Sequence, residues 1–95
     1  MVKHIVMWSL TEPEKKSETV AIMKQKLEAL VGVVPGLLKL EVGENFTDDT
    51  YDAILYSEFE SREALKLYRD HPAHKECQKY VHSVISGRTA GDFEL

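Results

Sequence analysis

The sequence predicts an α+β domain with helices laid on one face of a four-stranded antiparallel sheet, and three observations lead there. Short, strand-like stretches occur at the start, in the middle and at the end of the chain. Longer stretches with helical periodicity lie between them. The length, 95 residues, holds one core and no second lobe, so residues 1–95 read as a single domain.

Val2 to Leu10 is rich in apolar and aromatic residues and reads as a strand. Alternation puts His4, Val6, Trp8 and Leu10 on one face and Ile5, Met7 and Ser9 on the other; both faces are largely apolar, so both should be covered. Thr11-Glu12-Pro13-Glu14 has the spacing of a capping box with proline in the first turn, a helix start. Val20, Met23, Leu27, Leu30 and Val31 then recur at helical spacing with charged residues between them, an amphipathic helix ended by Gly32 and Pro35-Gly36. In the second strand, Leu37 to Val42, Leu38, Leu40 and Val42 face one way and Lys39 and Glu41 the other. A polar connection, Asn45-Phe46-Thr47-Asp48-Asp49-Thr50, leads to a third strand, Tyr51 to Phe59, with Ala53, Leu55, Ser57 and Phe59 opposite Ile54, Tyr56 and Glu58.

Ser61 is a natural N-cap for a helix carrying Ala64, Leu65 and Tyr68. Proline disfavours helical geometry in the residue before it, so His71-Pro72 interrupts that helix, and Pro72 suits the first position of a new one. Ala73, Cys77, Tyr80, Val81, Val84 and Ile85 form the apolar stripe of the new helix, Gly87 stops it, and Arg88 to Leu95 is the last strand. The order β-α-β-β-α-β with a broken second helix is the ferredoxin-like arrangement. Its helices cover one sheet face only. The other carries Ile5, Met7, Leu37, Ile54 and Tyr56, a patch rarely left in water, so it is expected to pack on the same face of a second copy in a two-fold homodimer. Lys39, Glu41 and Glu58 on that face predict a partly polar interface.

Charge narrows the functional classes. Twelve basic residues are scattered among sixteen acids for a formal net charge of −4, the wrong balance for nucleic acid or an anionic membrane. No apolar run approaches the roughly 20 residues of a membrane span, and the start lacks a signal-peptide pattern, so the default expectation is a cytoplasmic protein. Cys77 is the only cysteine, which precludes an intrachain disulfide. No glycine-rich phosphate loop, G-x-S-x-G elbow or C-x-x-C is present.

The chemically capable residues concentrate in Tyr68-Arg69-Asp70-His71-Pro72-Ala73-His74. On an unbroken helix Tyr68 and His74 would stand about 600° apart, on different faces. The proline break lifts that restriction and lets both reach beneath the helical layer, where His4 on the first strand could meet them. An imidazole can take a proton from an acidic carbon or hydroxyl, and a phenol can hydrogen-bond the oxygen on which charge develops. The same residues also suit a structural role, His74 near a helix start and Tyr68 in the core, and both readings are open at this point. His71 and His74 form an H-x-x-H pair without the third and fourth ligands that zinc normally needs.

With these residues in view the chain resembles the stress-responsive dimeric α/β-barrel (Dabb) family over essentially its whole length. The resemblance rests on Val2-Lys3-His4-Ile5-Val6, Val34-Pro35-Gly36, Phe59-Glu60-Ser61, His71-Pro72-Ala73-His74 and the closing Asp92-Phe93. It implies a homodimer whose two sheets close into a barrel. At Tyr68 and His74 the chain is similar to members of the olivetolic acid cyclase type, which implies a catalytic pair for cofactor-free acid–base chemistry of a cyclase, lyase or isomerase kind. The implied ligand is a small hydrophobic oxygenated molecule, with His4, Val6, Trp8, Leu27, Ala53, Leu55 and His71 as binding positions. Ala53 and Leu27 stand where those members carry a histidine and an aromatic residue. The wider barrel superfamily implies a cofactor-free monooxygenase or isomerase as an alternative, and the family name a non-enzymatic stress protein. No cofactor is expected. Some plant relatives imply a magnesium ion on main-chain oxygens, here the carbonyls of Val31, Val34 and Leu37, where partnerless carbonyls and the helix dipole suit a hard cation.

Overall fold

The computed structural model describes residues 1–47 and 50–95. Strand β1 (Val2–Leu10) alternates buried and half-buried residues along its whole length, as a strand covered on one face by helices and open on the other must. A single 3-10 turn, Pro13–Lys15, leads into α1 (Lys16–Glu28). Then come β2 (Leu37–Glu44), β3 (Ala53–Phe59), α2 (Arg62–Asp70), α3 (Pro72–Val84) and β4 (Ile85–Glu94). The sheet is four-stranded with order β2-β3-β1-β4 and antiparallel at every pairing, so β1 is flanked by β3 and β4. The expected ferredoxin-like βαββαβ fold is present. Met23, Leu55 and Phe59 are fully buried between sheet and helices, with Leu27, Leu65, Tyr68 and Val81 closing the layer above them.

Four local expectations are corrected. Thr11 does not cap α1. Its hydroxyl and amide both donate to the Val84 carbonyl, at 3.2 and 2.9 Å, tying the start of the α1 connection to the end of α3. Helix α1 stops at Glu28, and the following turn buries Leu30 but leaves Val31 40% exposed. In β2 the pairing slips between Leu37 and Lys39, making Leu38 the extra residue of a bulge. Leu37 is therefore buried beneath the helices and Leu38 is exposed, the reverse of a strict alternation. At the far end Gly87 stops nothing: α3 ends at Val84 and β4 begins at Ile85.

Other signals act as read. Ser61 Oγ accepts from the Ala64 amide at 3.1 Å. His71, with extended backbone at φ −66° and ψ 134°, ends α2 and caps α3. Gly36 has φ +84°, and a Cβ there would stand 2.5 Å from Ala64 Cβ, so only glycine lets β2 start so close under α2. In the β2–β3 connection Asn45 is buried, its carboxamide donating to the Tyr51 carbonyl and accepting from Thr47; Asp48 and Asp49 of that connection lie outside the described residues.

On the sheet face away from the helices Lys3, Ile5, Met7, Ile54, Tyr56 and Glu58 are half-buried. Lys3 Nζ donates to Tyr56 Oη at 2.6 Å and contacts Glu58 at 3.0 Å, and Tyr56 donates to the same carboxylate at 2.6 Å. The face is apolar around this internally satisfied polar cluster, and Lys39 and Glu41 on β2 add a second ion pair at 3.5 Å. No helix among the described residues is long and apolar enough to cross a membrane.

Candidate functional site

Beneath the helical layer lies a cavity of about 230 Å³. Strand β1 supplies His4, Val6 and Trp8 to its wall because their parity points them toward the helices, and β3 supplies Leu55 for the same reason. Leu27 comes from α1 and Tyr68 from α2, while α3 brings His74, Gln78, Val81 and His82.

The Pro72 break brings the two reactive groups together. Residue 71 turns the chain in extended conformation, α3 restarts in a new direction, and the His74 ring lies 4.0 Å from the Tyr68 ring, centroid to centroid, at an interplanar angle of 30°. Tyr68 is held from its other sides by Phe59 at 5.0 Å and His4 at 6.5 Å, both edge-on. These aromatic contacts fix the phenol against rotation into another rotamer. The Tyr68 hydroxyl has no protein hydrogen-bond partner among the described residues, yet it is not a sealed, unsatisfied atom, so it opens onto the cavity.

Burial sets the protonation states. It raises the Tyr68 pKa well above the ordinary phenol value, with a smaller contribution from Cys77, so the group stays a neutral O–H donor. Burial lowers His74 below 6.5, more than its contact with the Arg69 carbonyl raises it. That contact, 3.4 Å from Nδ1, assigns the ring proton to Nδ1, because a carbonyl can only accept, and leaves the lone pair on Nε2. His4 is likewise lowered by burial, against the opposing pull of Asp92, whose carboxylate is hydrogen-bonded to its Nδ1. Asp92 also takes Arg69 Nη2 at 3.1 Å through its other oxygen. The arrangement is thus a neutral phenol donor beside a neutral imidazole acceptor, with a second oriented imidazole facing them.

Not every expected residue reaches this wall. His71 does not: its Nδ1 accepts from the Ala73 amide at 3.0 Å, so its ring is committed to capping α3. Ala53 is fully buried in the sheet layer and also lies off the cavity. Cys77 is half-buried, donates its thiol to the Lys26 carbonyl at 3.4 Å and has its pKa raised by burial, the opposite of an activated thiol.

Among the residues Val31, Val34 and Leu37 the carbonyl of Val34 already accepts from the Leu37 amide at 3.3 Å. Glu28, the carboxylate at the end of α1, is engaged by Lys24 and the Val42 amide. Among the described residues no cluster of three or more His, Cys, Asp or Glu side chains could hold a metal.

Sequence reading missed Arg69, Asp92, Gln78 and Arg88 as neighbours of the site. The available signal was parity: antiparallel pairing sets His4 opposite Asp92 and Trp8 opposite Arg88, on the helix side of β4. It needed the β1–β4 register to be usable.

The model of the stress-responsive A/B barrel domain family matches residues 2–95 of this chain. The chain belongs to the Dabb family. Among solved structures, a dimeric protein of unknown function and ferredoxin-like fold from Bacteroides fragilis is 33% identical, with a TM-score of 0.88 over 99% of this chain and 95% of that one. The protein At3g17210 from Arabidopsis thaliana is 25% identical, with a TM-score of 0.80 over 100% of this Dabb chain and 95% of its own. A hydroxynitrile lyase from Passiflora edulis shares the fold, with a TM-score of 0.81 at 14% identity over 97% and 90% of the two chains. No functionally curated protein matches the chain.

Proposed function

We propose that this Dabb domain is a homodimeric barrel protein that binds and transforms a small hydrophobic oxygenated molecule, with Tyr68 and His74 as a cofactor-free acid–base pair. The observation that carries this reading is the free Tyr68 hydroxyl beside the His74 ring at one cavity. A purely structural tyrosine at this depth would normally bond its hydroxyl within the protein.

In the proposed step His74 Nε2 removes a proton from a carbon next to a carbonyl group. The electron pair moves onto the carbonyl oxygen, and the Tyr68 hydroxyl donates to the oxyanion. Burial favours both starting states and strengthens the oxyanion hydrogen bond. The apolar wall of Val6, Trp8, Leu27 and Leu55 selects a hydrophobic substrate; His4, held by Asp92, offers a second polar contact. The homodimer is supported by the apolar outer sheet face and by the dimeric relative from Bacteroides fragilis.

The test is hydrogen–deuterium exchange at the acidic carbon of small 1,3-diketones, followed by proton NMR. The wild type should accelerate exchange, and His74→Ala or Tyr68→Phe should reduce it by about two orders of magnitude with the fold intact. Exchange at the wild-type rate in both folded variants would remove the acid–base role.

A further inference from the structure

The mouth of the Tyr68–His74 cavity differs in kind from its interior. Most residues along its wall are buried, but Arg69, His82 and Arg88 are exposed and mark where it opens to solvent. No aspartate or glutamate lines it, although the chain carries sixteen acids against twelve basic residues.

Two elements bring polar groups to that opening. On α3, His74, Gln78 and His82 are spaced four apart and form one ridge, passing from buried through half-buried to exposed. The ridge rises about 12 Å from the reactive pair to the mouth. On β4, Arg88 stands opposite Trp8 in the pairing with β1, so its side chain leaves the sheet on the same helix-facing side. Helix α3 runs directly into β4, which puts His82 and Arg88 at the same end of the cavity.

Charge at that end is unbalanced. Arg69 is matched by Asp92 at 3.1 Å, whereas Arg88 has neither an ion pair nor a hydrogen bond among the described residues. The side chains of Gln78 and His82 are equally without hydrogen-bond partners there. The Arg88 charge reaches the reactive end: burial is the main reason that His4 and His74 are lowered, and Arg88 adds to it at both rings. A guanidinium on a wall without acids offers parallel N–H donors, the geometry that a carboxylate takes. One unmatched cation suits a monoanion, and Gln78 and His82 supply neutral donors beside it. Further in, the wall of Val6, Trp8, Leu27 and Leu55 is apolar.

We propose that the substrate of this site is an oxo acid, with its carboxylate held by Arg88 at the mouth and its reacting carbonyl group at Tyr68 and His74. A hydrocarbon spacer of several carbons joins the two ends, and Gln78 and His82 flank the carboxylate. Arg88 is then the residue that determines specificity. The inference rests on the acid–base reading for the reacting end only.

The test compares 7,9-dioxodecanoate with its methyl ester on the full chain. Backbone amide shifts read affinity, and deuterium exchange at the carbon between the two carbonyl groups reads proton abstraction. The wild type should bind the acid about tenfold or more tightly than the ester, and added salt should weaken that preference. Arg88→Gln should abolish the preference, and Arg88→Lys should retain part of it. Because Arg88 is exposed, neither substitution should disturb the fold, which the amide spectrum reports directly. Equal affinity for acid and ester, binding of neither, or a preference that survives Arg88→Gln would overturn the carboxylate subsite. Exchange that persists in such a case would leave the acid–base pair standing. Arg88-dependent binding without exchange would instead sustain the subsite and remove the pair.

Discussion

Tyr68→Phe separates a structural tyrosine from a chemical one. The substitution removes a single oxygen and keeps the ring, with its contacts at 5.0 Å to Phe59, 6.5 Å to His4 and 4.0 Å to His74. Deleting a tyrosine hydroxyl that is bonded within the protein costs about 0.5–1.5 kcal/mol. Here that contribution is missing, because no protein group among the described residues accepts from the hydroxyl. Stability should therefore change by less than about 0.5 kcal/mol, a midpoint shift of no more than about 2–4 °C for a domain of this size. Tyr68→Ala is the control: it empties the ring's space and should cost about 3–5 kcal/mol. Urea unfolding followed by circular dichroism measures both, at one fixed protomer concentration so that association does not shift the midpoint. A loss above about 1 kcal/mol in the phenylalanine variant would mean that the hydroxyl is bonded within the fold, and the free-donor argument would fail.

Four further outcomes are expected. Ile54→Asp puts a charge on the apolar outer sheet face beside Tyr56 and should turn a dimer into a monomer in sedimentation at micromolar concentration; a wild type already monomeric there would refute the homodimer. Gly36→Ala should cost about 2–4 kcal/mol in thermal unfolding, from a left-handed φ of +84° and a 2.5 Å contact with Ala64 Cβ, and a neutral result would refute the close β2–α2 approach. His71→Ala should lose about 0.5–2 kcal/mol of stability through its cap on Ala73 while leaving ligand contacts in the cavity unchanged, as amide shifts would report. Because burial holds His4 and His74 below 6.5 in the folded chain, the unfolded chain binds more protons as pH falls; stability should be flat above about pH 7 and decline below about 6.5, ahead of any carboxylate effect, and a His4→Gln, His74→Gln variant should lose that decline.

The parts of the fold that rest on neighbours in sequence were legible without coordinates. Alternation in β1 and β3 depends on a two-residue period, and their inward sets are the ones expected. The Ser61 cap and the Pro72 break are local stereochemistry, and the latter was enough to suggest that Tyr68 and His74 could meet. Where a second strand decided the outcome, local pattern failed. Leu37 and Leu38 are indistinguishable by hydrophobicity; the slip in pairing with β3 chooses which one is buried. Thr11 has the chemistry of a cap, but the Val84 carbonyl, 73 residues away, takes its hydroxyl proton.

The same division runs through the site. By itself the sequence determined an amphipathic ferredoxin-like domain, the residues able to move protons, and the proline that frees them from one helical register. Only the tertiary structure decided that His71 is spent on a cap and that Asp92 orients His4 across the β1–β4 pairing. Each of these turns on a hydrogen bond or ion pair whose geometry is set by where the backbones lie. A period of two or 3.6 residues records which face a side chain occupies, but not which atom, 88 residues away in the case of Asp92 and His4, will be within reach of it.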